Sequence, residues 1–154
     1  MAKINIENMK WKNGTFYPSP FNETVEGRYR KRLGVEAGLN QFGVNLTKLD
    51  PGAQSALRHW HENEDELVYI VSGEVILVED EGETLLKAGD AAGWKAGEDN
   101  GHHLINRSNN PATYIEIGTR APKERAHYPD DDLLYESDAG FTHKDGSPYE
   151  ENSQ

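Results

Sequence analysis

Short runs of strand-forming residues alternate with turn-forming residues through the middle of the chain. Each run ends at a cluster of glycine, proline, asparagine, aspartate or serine, which is how strands joined by tight turns end. No segment carries an apolar repeat of helical period over three turns. The pattern therefore predicts an antiparallel all-β sandwich or barrel. The predicted strands are residues 41–49, 66–71, 75–79, 84–87, 102–106 and 113–119.

The two ends of the chain depart from this regular pattern. Residues 1–40 contain several turn formers, as in YPSPFNETVEG, and predict an irregular segment that packs on the barrel or on a partner subunit. Residues 41–121 are the predicted barrel. In residues 122–154, acidic residues alternate with leucines and aromatic residues. This last part is expected to form an arm that packs across the barrel or a neighbouring subunit.

A short basic cluster, RYRKR, covers residues 28–32. Such a cluster is typical of a solvated turn or sheet edge, and that is the interpretation we prefer from sequence. The alternative is a site that binds a phosphate or carboxylate group.

The predicted strand at residues 66–71 is apolar on both faces. Val68 and Ile70 share one face, because side chains alternate along a strand. Leu67, Tyr69 and Val71 share the other. A strand of this kind is covered on both sides, so the outer face needs the N-terminal segment or a second subunit. We therefore predict a homodimer.

Size and composition narrow the classes of function. The chain has 154 residues, which fits one domain. A net charge of −11 argues against a nucleic-acid or anionic-membrane partner, since both require a basic surface. The chain contains no cysteine, so disulfides and thiolate metal sites are excluded. The first residues lack the apolar segment of a signal peptide, and the longest apolar runs are too short to span a bilayer; we expect a cytoplasmic protein.

Four side chains have the chemistry and spacing of a metal site. His59 and His61 are two residues apart and point to the same side of a strand. Glu66 opens the next strand and shares a face with Val68. His102 follows some forty residues later on another predicted strand. Three neutral imidazoles and one carboxylate suit divalent Mn, Fe, Ni, Co or Zn. The alternative is a barrel in which these histidines form hydrogen bonds within a polar core.

Two segments resemble the two conserved motifs of the cupin superfamily. PGAQSALRHWHENEDELVYIVSG resembles the first motif through its glycines, His-x-His pair and glutamate. GDAAGWKAGEDNGHHLIN resembles the second through Gly-Asp, a later glycine, a histidine and an asparagine. The resemblance covers about residues 41–119. It implies a double-stranded β-helix, or jelly-roll, barrel that holds a metal ion with His59, His61, Glu66 and His102.

The second motif differs from the family pattern at two points. Lys95 stands where the family usually has proline, and two extra residues lie between Gly97 and His102. The resulting change of register makes His103 the alternative ligand. The sequences that flank the barrel resemble a group of small bacterial single-domain cupins, some of which are described as sugar-phosphate-isomerase-like.

The resemblance implies a metal-binding cupin that acts on a small oxygenated metabolite, with an isomerase as the first expectation. An iron-dependent dioxygenase and a non-catalytic cupin that binds a small ligand are the alternatives. Isomerisation requires a general base near the metal. The sequence identifies none, because the residues expected beside the ligands on the inner face are mostly apolar.

Overall fold

Twelve β-strands dominate the computed structural model, which describes residues 2–150. Within these residues, helical structure is confined to the single turn α1 (Leu33–Glu36) and to 3₁₀ turns at Ile6–Asn8 and Phe21–Val25. Within residues 2–150, no helix has the length and apolarity needed to cross a membrane. The strands are β1 (Arg28–Lys31), β2 (Phe42–Leu49), β3 (Trp60–His61), β4 (Glu66–Ser72), β5 (Glu74–Glu79), β6 (Gly82–Lys87), β7 (Ala91–Trp94), β8 (His103–Ile105), β9 (Ala112–Thr119), β10 (Arg125–His127), β11 (Leu134–Glu136) and β12 (Gly140–Thr142).

The strands form three antiparallel sheets. A five-stranded sheet has the order β1-β2-β9-β4-β7, and a three-stranded sheet has the order β6-β5-β8. Apolar side chains of both sheets share one core, so the two sheets enclose a barrel. The predicted double-stranded β-helix is therefore confirmed. The third sheet, β12-β11-β10-β3, is built mainly from the C-terminal arm.

Strand β4 shows the alternation that the sequence predicts. Val68 and Ile70 are almost completely buried in the barrel core. On the opposite face, the side chains of Leu67, Tyr69 and Val71 are 44%, 46% and 47% exposed, respectively. Within the described residues, the N-terminal segment therefore leaves this outer face open to solvent.

The basic cluster lies on the edge strand of the five-stranded sheet, but two of its charged residues are buried. Residues 28–31 pair with residues 46–49 of β2, and Arg28 and Lys31 are buried. Burial of these charges is possible because backbone carbonyls accept their hydrogen bonds. Arg28 donates to Ser55 O at 2.6 Å and to Gly14 O at 2.9 Å. The solvated interpretation is therefore wrong for Arg28 and Lys31, whereas Arg32 is exposed as that interpretation expects.

The C-terminal arm packs against the barrel of its own chain. Strand β10 pairs with β3, so Ala126 lies opposite His61. Leu133 is fully buried, and Tyr128 is 5% exposed. These residues form a second apolar cluster with Leu57 and with aromatic residues from both ends of the chain; the aromatic members are Tyr17, Phe21, Tyr128, Tyr135, Phe141 and Tyr149.

The turn between β4 and β5 generates a stability prediction. Gly73 has φ +73°, and a Cβ atom there would lie 2.8 Å from Pro111 O and 2.9 Å from the Cα atom of Ala112. We expect Gly73→Ala to lower the free energy of unfolding by more than about 2 kcal/mol, measured by urea denaturation, because backbone strain and a clash with backbone atoms add together.

Gly52 provides the matched control. It has φ +85°, but a Cβ atom there would meet nothing within 4 Å. Gly52→Ala should therefore cost only the backbone strain, about 1 kcal/mol. Equal losses in the two variants would contradict the clash at Gly73.

Candidate metal centre

Four side chains converge inside one end of the barrel. Glu66 Oε2 lies 3.0 Å from His102 Nε2, 3.4 Å from His61 Nε2 and 3.9 Å from His59 Nε2. These are the four residues that the sequence singles out. His103 lies outside the group, because its Nδ1 atom donates instead to Ala56 O at 2.8 Å.

Backbone pairing brings the histidines together. His59 and His102 form an isolated antiparallel bridge, with N···O distances of 3.2 and 3.0 Å. His61 follows on β3 and shares the side of the strand that His59 occupies, whereas Trp60 points outward and stacks on His127. Glu66 begins β4 opposite Trp94 of β7 and Gly118 of β9.

Two of the imidazoles are fixed in one tautomer. His59 Nδ1–H donates to Leu57 O at 2.7 Å, and His102 Nδ1–H donates to Asn100 O at 2.9 Å. When these rings are neutral, each Nε2 atom carries a lone pair directed at Glu66. Backbone acceptors of this kind are the usual outer partners of metal-binding histidines.

The third imidazole, His61, lies between Glu66 and two further carboxylates. Its Nδ1 atom is 3.9 Å from Glu64 Oε1 and 3.8 Å from Glu124 Oε1. Glu124 is buried, and its carboxylate accepts the backbone N–H groups of Glu62 and Asn63. Carboxylates on this side of the ring favour a proton on Nδ1, which leaves Nε2 available as a ligand.

Burial and charge act in opposite directions within the cluster. Burial lowers the pKa of His59 to about 3 despite the nearby carboxylate of Glu66. Burial alone would raise the pKa of Glu66, but hydrogen bonds from His102 and His61 hold it well below its usual range. Glu66 is therefore ionised and His59 neutral at neutral pH.

This donor set fits a divalent metal ion. An ionised carboxylate oxygen and an imidazole lone pair repel each other unless a positive charge lies between them. His59, His61 and Glu66 each offer one donor atom, and these atoms lie within 4.8 Å of one another, as the ligands of one metal ion do. The distance of 3.0 Å between Glu66 Oε2 and His102 Nε2 is that of a hydrogen bond, so His102 joins the group through Glu66. Nitrogen and carboxylate ligands suit the transition metals expected from sequence.

Aromatic rings stack on two of the imidazoles, those of His102 and His59, from outside the cluster. Trp94 stacks on His102, with ring centroids 3.7 Å apart and planes at 3°. Tyr128 of the C-terminal arm stacks on His59, with centroids 5.6 Å apart. The arm therefore contributes directly to the wall of the site.

The two histidines of the C-terminal arm, His127 and His143, lie outside the cluster. His127 Nε2 and Glu62 Oε1 are 2.7 Å apart. His143 Nδ1 and Asp132 Oδ2 are also 2.7 Å apart. Each histidine therefore has a single carboxylate partner near the surface.

A cavity of about 950 Å³ opens onto the four-residue cluster. This volume is at the upper end of the range for small-molecule sites. Its lining includes Arg30, Arg32, Glu116 and Arg120. Asn106, which the second motif includes, bonds instead to Leu49 O and Asn110 O in the barrel wall.

Glu116 is the acidic residue that the sequence analysis missed. It lies on β9 opposite Val68, one step along the inner face from the Glu66–Gly118 pair. Its Oε1 atom accepts hydrogen bonds from Asn45 at 3.0 Å and Thr47 at 3.2 Å, and lies 2.7 Å from Arg30 Nε. Alternation along TYIEIGT puts Glu116 on the same face as Tyr114, which is a signal that could have identified it.

Comparisons with known proteins agree with this architecture. The chain is 45% identical to a protein from Silicibacter pomeroyi DSS-3 named as a sugar phosphate isomerase from a cupin superfamily, with a TM-score of 0.91 and 96% of each chain covered. A protein from Acidithiobacillus ferrooxidans ATCC 23270 is 24% identical, with a TM-score of 0.72 and coverage of 82% and 81%. The polyketide cyclase RemF from Streptomyces resistomycificus is 17% identical, with a TM-score of 0.66 and coverage of 80% and 83%. These last two show the fold alone.

The comparison with curated proteins found no match. The cupin domain family matches residues 45–118, which include all four clustered side chains. The family match and the relative from Silicibacter pomeroyi agree in assigning the chain to one group. The chain belongs to the cupin superfamily.

Proposed function

We propose that this cupin is a metal-dependent enzyme that isomerises a small oxygenated metabolite. Its metal ligands would be His59, His61, Glu66 and His102. The observation that carries the proposal is the approach of three imidazole Nε2 atoms to one carboxylate oxygen of Glu66, at 3.0 to 3.9 Å. Without a metal, these imidazole nitrogens can approach the carboxylate only by carrying protons, and a divalent cation would replace those protons.

The cavity supports a small-molecule substrate. Its volume of about 950 Å³ can contain a metabolite of a few hundred daltons, and the metal ligands line one part of it. A bound divalent metal would act as a Lewis acid that polarises a carbonyl oxygen and stabilises an enediolate. The name of the relative from Silicibacter pomeroyi, sugar phosphate isomerase, supports a sugar phosphate as the substrate class.

Glu116 is the general base in this proposal. Glu116 and Glu66 occupy diagonal positions on adjacent strands. Residues at such positions are about 7–8 Å apart along the sheet. Hydrogen bonds from Asn45 and Thr47, together with the ion pair with Arg30, hold Oε1 and fix the carboxylate in place. Among the described residues Oε2 has no hydrogen-bond partner, so it is available to take a proton from the carbon next to the substrate carbonyl.

The ligand assignment predicts metal content. Protein purified without chelator should contain about one divalent metal ion per chain, measured by elemental analysis, and added metal should raise Tm by mass action. We expect His59→Ala and His61→Ala to lose most of the metal, with affinity reduced more than about a hundredfold, because even outer partners of a metal contribute about 10–100-fold.

His127 and His143 provide matched controls, since each is a histidine with a single carboxylate partner outside the cluster. His127→Ala and His143→Ala should keep the wild-type metal content. Equal metal in all four variants would show that the ligand assignment is wrong.

Proton transfer by Glu116 predicts hydrogen exchange. In D₂O, wild-type protein should exchange the hydrogen next to the carbonyl of at least one member of a panel of aldose and ketose phosphates, as followed by NMR. Glu116→Gln should slow this exchange at least about a hundredfold, the contribution of a positioned base, and leave the metal content unchanged.

The two alternative functions predict different observations. Iron in the protein and oxygen consumption on adding a diol would identify a dioxygenase instead. A ligand that raises Tm but is recovered without exchange would identify a binding protein. Unchanged exchange in Glu116→Gln would remove Glu116 from the mechanism.

We also propose that the outer face of the five-stranded sheet is the contact surface of a homodimer. Leu67, Tyr69 and Val71 are each more than 40% exposed there, and Ile117 on the neighbouring strand is 38% exposed.

A charged residue introduced into this apolar face should prevent association of the two subunits. Tyr69→Glu should therefore convert a dimer to a monomer in multi-angle light scattering, whereas Phe16→Glu, an exposed position outside the sheet, should not. A wild-type monomer at micromolar concentration would contradict the proposal.

A further inference from the structure

We propose that Arg30, Arg32 and Arg120 form a subsite that binds the phosphate group of the ligand in the cavity. All three line the cavity that contains the metal-ligand cluster. The subsite deepens the proposed function and rests on it, since the other end of the same ligand would lie at the metal centre.

A row of residues across the five-stranded sheet connects the two ends of the site. Gly118 pairs with Glu66 on one side and with Gly43 on the other. Gly43 and Gly118 contribute no side chains of their own to this part of the inner face. Two strand spacings, about 9.6 Å, separate Gly43 from Glu66. One small molecule can therefore contact both ends.

The guanidinium group of Arg120 occupies the space over Gly43. A Cβ atom at residue 43 would lie 3.1 Å from Arg120 Nη2 and 3.4 Å from its Cζ atom. Glycine at this position allows the planar group to lie close to the sheet. Arg30 reaches the same inner face from β1, opposite Thr47, and Arg32 follows directly after that strand.

These arginines differ from the other arginines in their bonding. Arg58, Arg107 and Arg125 each form an ion pair with at least one carboxylate, and Arg28 donates to two backbone carbonyls. Within residues 2–150, Arg32 and Arg120 have no hydrogen-bond or ion-pair partner for their guanidinium groups. Both residues are exposed, so a ligand that enters the cavity can reach their guanidinium groups.

Arg30 is partly engaged. Its Nε atom contacts Glu116, and its terminal nitrogens have no hydrogen bond within the described part of the chain. Among the carboxylates of the cavity, Glu116 pairs with Arg30, Glu64 accepts the backbone N–H of Ala121, and Glu66 belongs to the histidine cluster. The terminal nitrogens of the arginines therefore remain available to donate to an anionic ligand.

A phosphate monoester matches this arrangement better than a carboxylate does. It presents three acceptor oxygens and close to two negative charges, so two or three guanidinium groups can bind it at once. A carboxylate has two oxygens and is satisfied by one bidentate arginine. The planar donor fork of arginine is suited to both, and the number of arginines is what favours phosphate.

Calorimetric titration with inorganic phosphate tests the subsite at constant ionic strength on the full-length protein, after its metal content has been measured. We expect Arg32→Gln and Arg120→Gln each to weaken phosphate binding about tenfold or more, since each removes charge-assisted hydrogen bonds. Arg107→Gln is the matched control, because Arg107 pairs with Glu83 outside the cavity, and it should change the affinity less than about twofold. Circular dichroism and Tm confirm that each variant is folded.

The possible outcomes separate the subsite from the metal centre. Unchanged phosphate affinity in both cavity variants, with folding and metal intact, overturns the subsite and leaves the proposed function standing. Acetate that binds as tightly as phosphate, with the same dependence on Arg32 and Arg120, overturns the assignment to phosphate. Arginine-dependent phosphate binding by wild-type protein that holds no metal supports the subsite and contradicts the proposed function.

Discussion

Burial of the Glu66 carboxylate inside the barrel is the constraint on which the site depends. An ionised carboxylate in the interior is destabilising unless positive charge or hydrogen bonds surround it. Here three imidazole nitrogens surround one oxygen, and hydrogen bonds from His102 and His61 hold the pKa of Glu66 well below its usual range. The same cluster is what a divalent cation requires. The orientation of His59 is in turn fixed by Leu57 O and by the ring of Tyr128.

The inner face of the five-stranded sheet changes character along its strands. At one end the paired residues Leu49 and Ala112 are fully buried and apolar. Toward the other end polar residues replace them, and the last row contains glycines beside Glu66. Hydrophobic packing at the first end stabilises the barrel, while the absence of side chains at the other leaves room for a ligand. The intermediate rows are Thr47, Tyr114 and Ile70, followed by Asn45, Glu116 and Val68.

The sequence was most informative where chemistry and alternation agreed. Side-chain parity placed His59 and His61 together, and the family motifs added His102 from a distant strand; the structure brings all of them to Glu66. Glu116 was not identified, because an acidic residue in a strand is normally assigned to the solvent face. Arg28 was misjudged for a related reason. Its burial depends on carbonyls of residues 14 and 55, and a local pattern does not show contacts that distant along the chain.

The C-terminal arm connects the histidine–glutamate cluster to the outside of the barrel. Arg58 lies between the two histidine-bearing strands and the arm, with Asp130 bound at 2.8 Å and Gly101 O at 2.9 Å. Asp130 is two residues from Tyr128, which stacks on His59. Release of the arm would therefore remove one wall of the site and expose the imidazoles to water. Water would weaken the electrostatic interactions between the imidazoles and Glu66. Docking of the arm therefore affects ligand binding at the cluster as well as the stability of the fold.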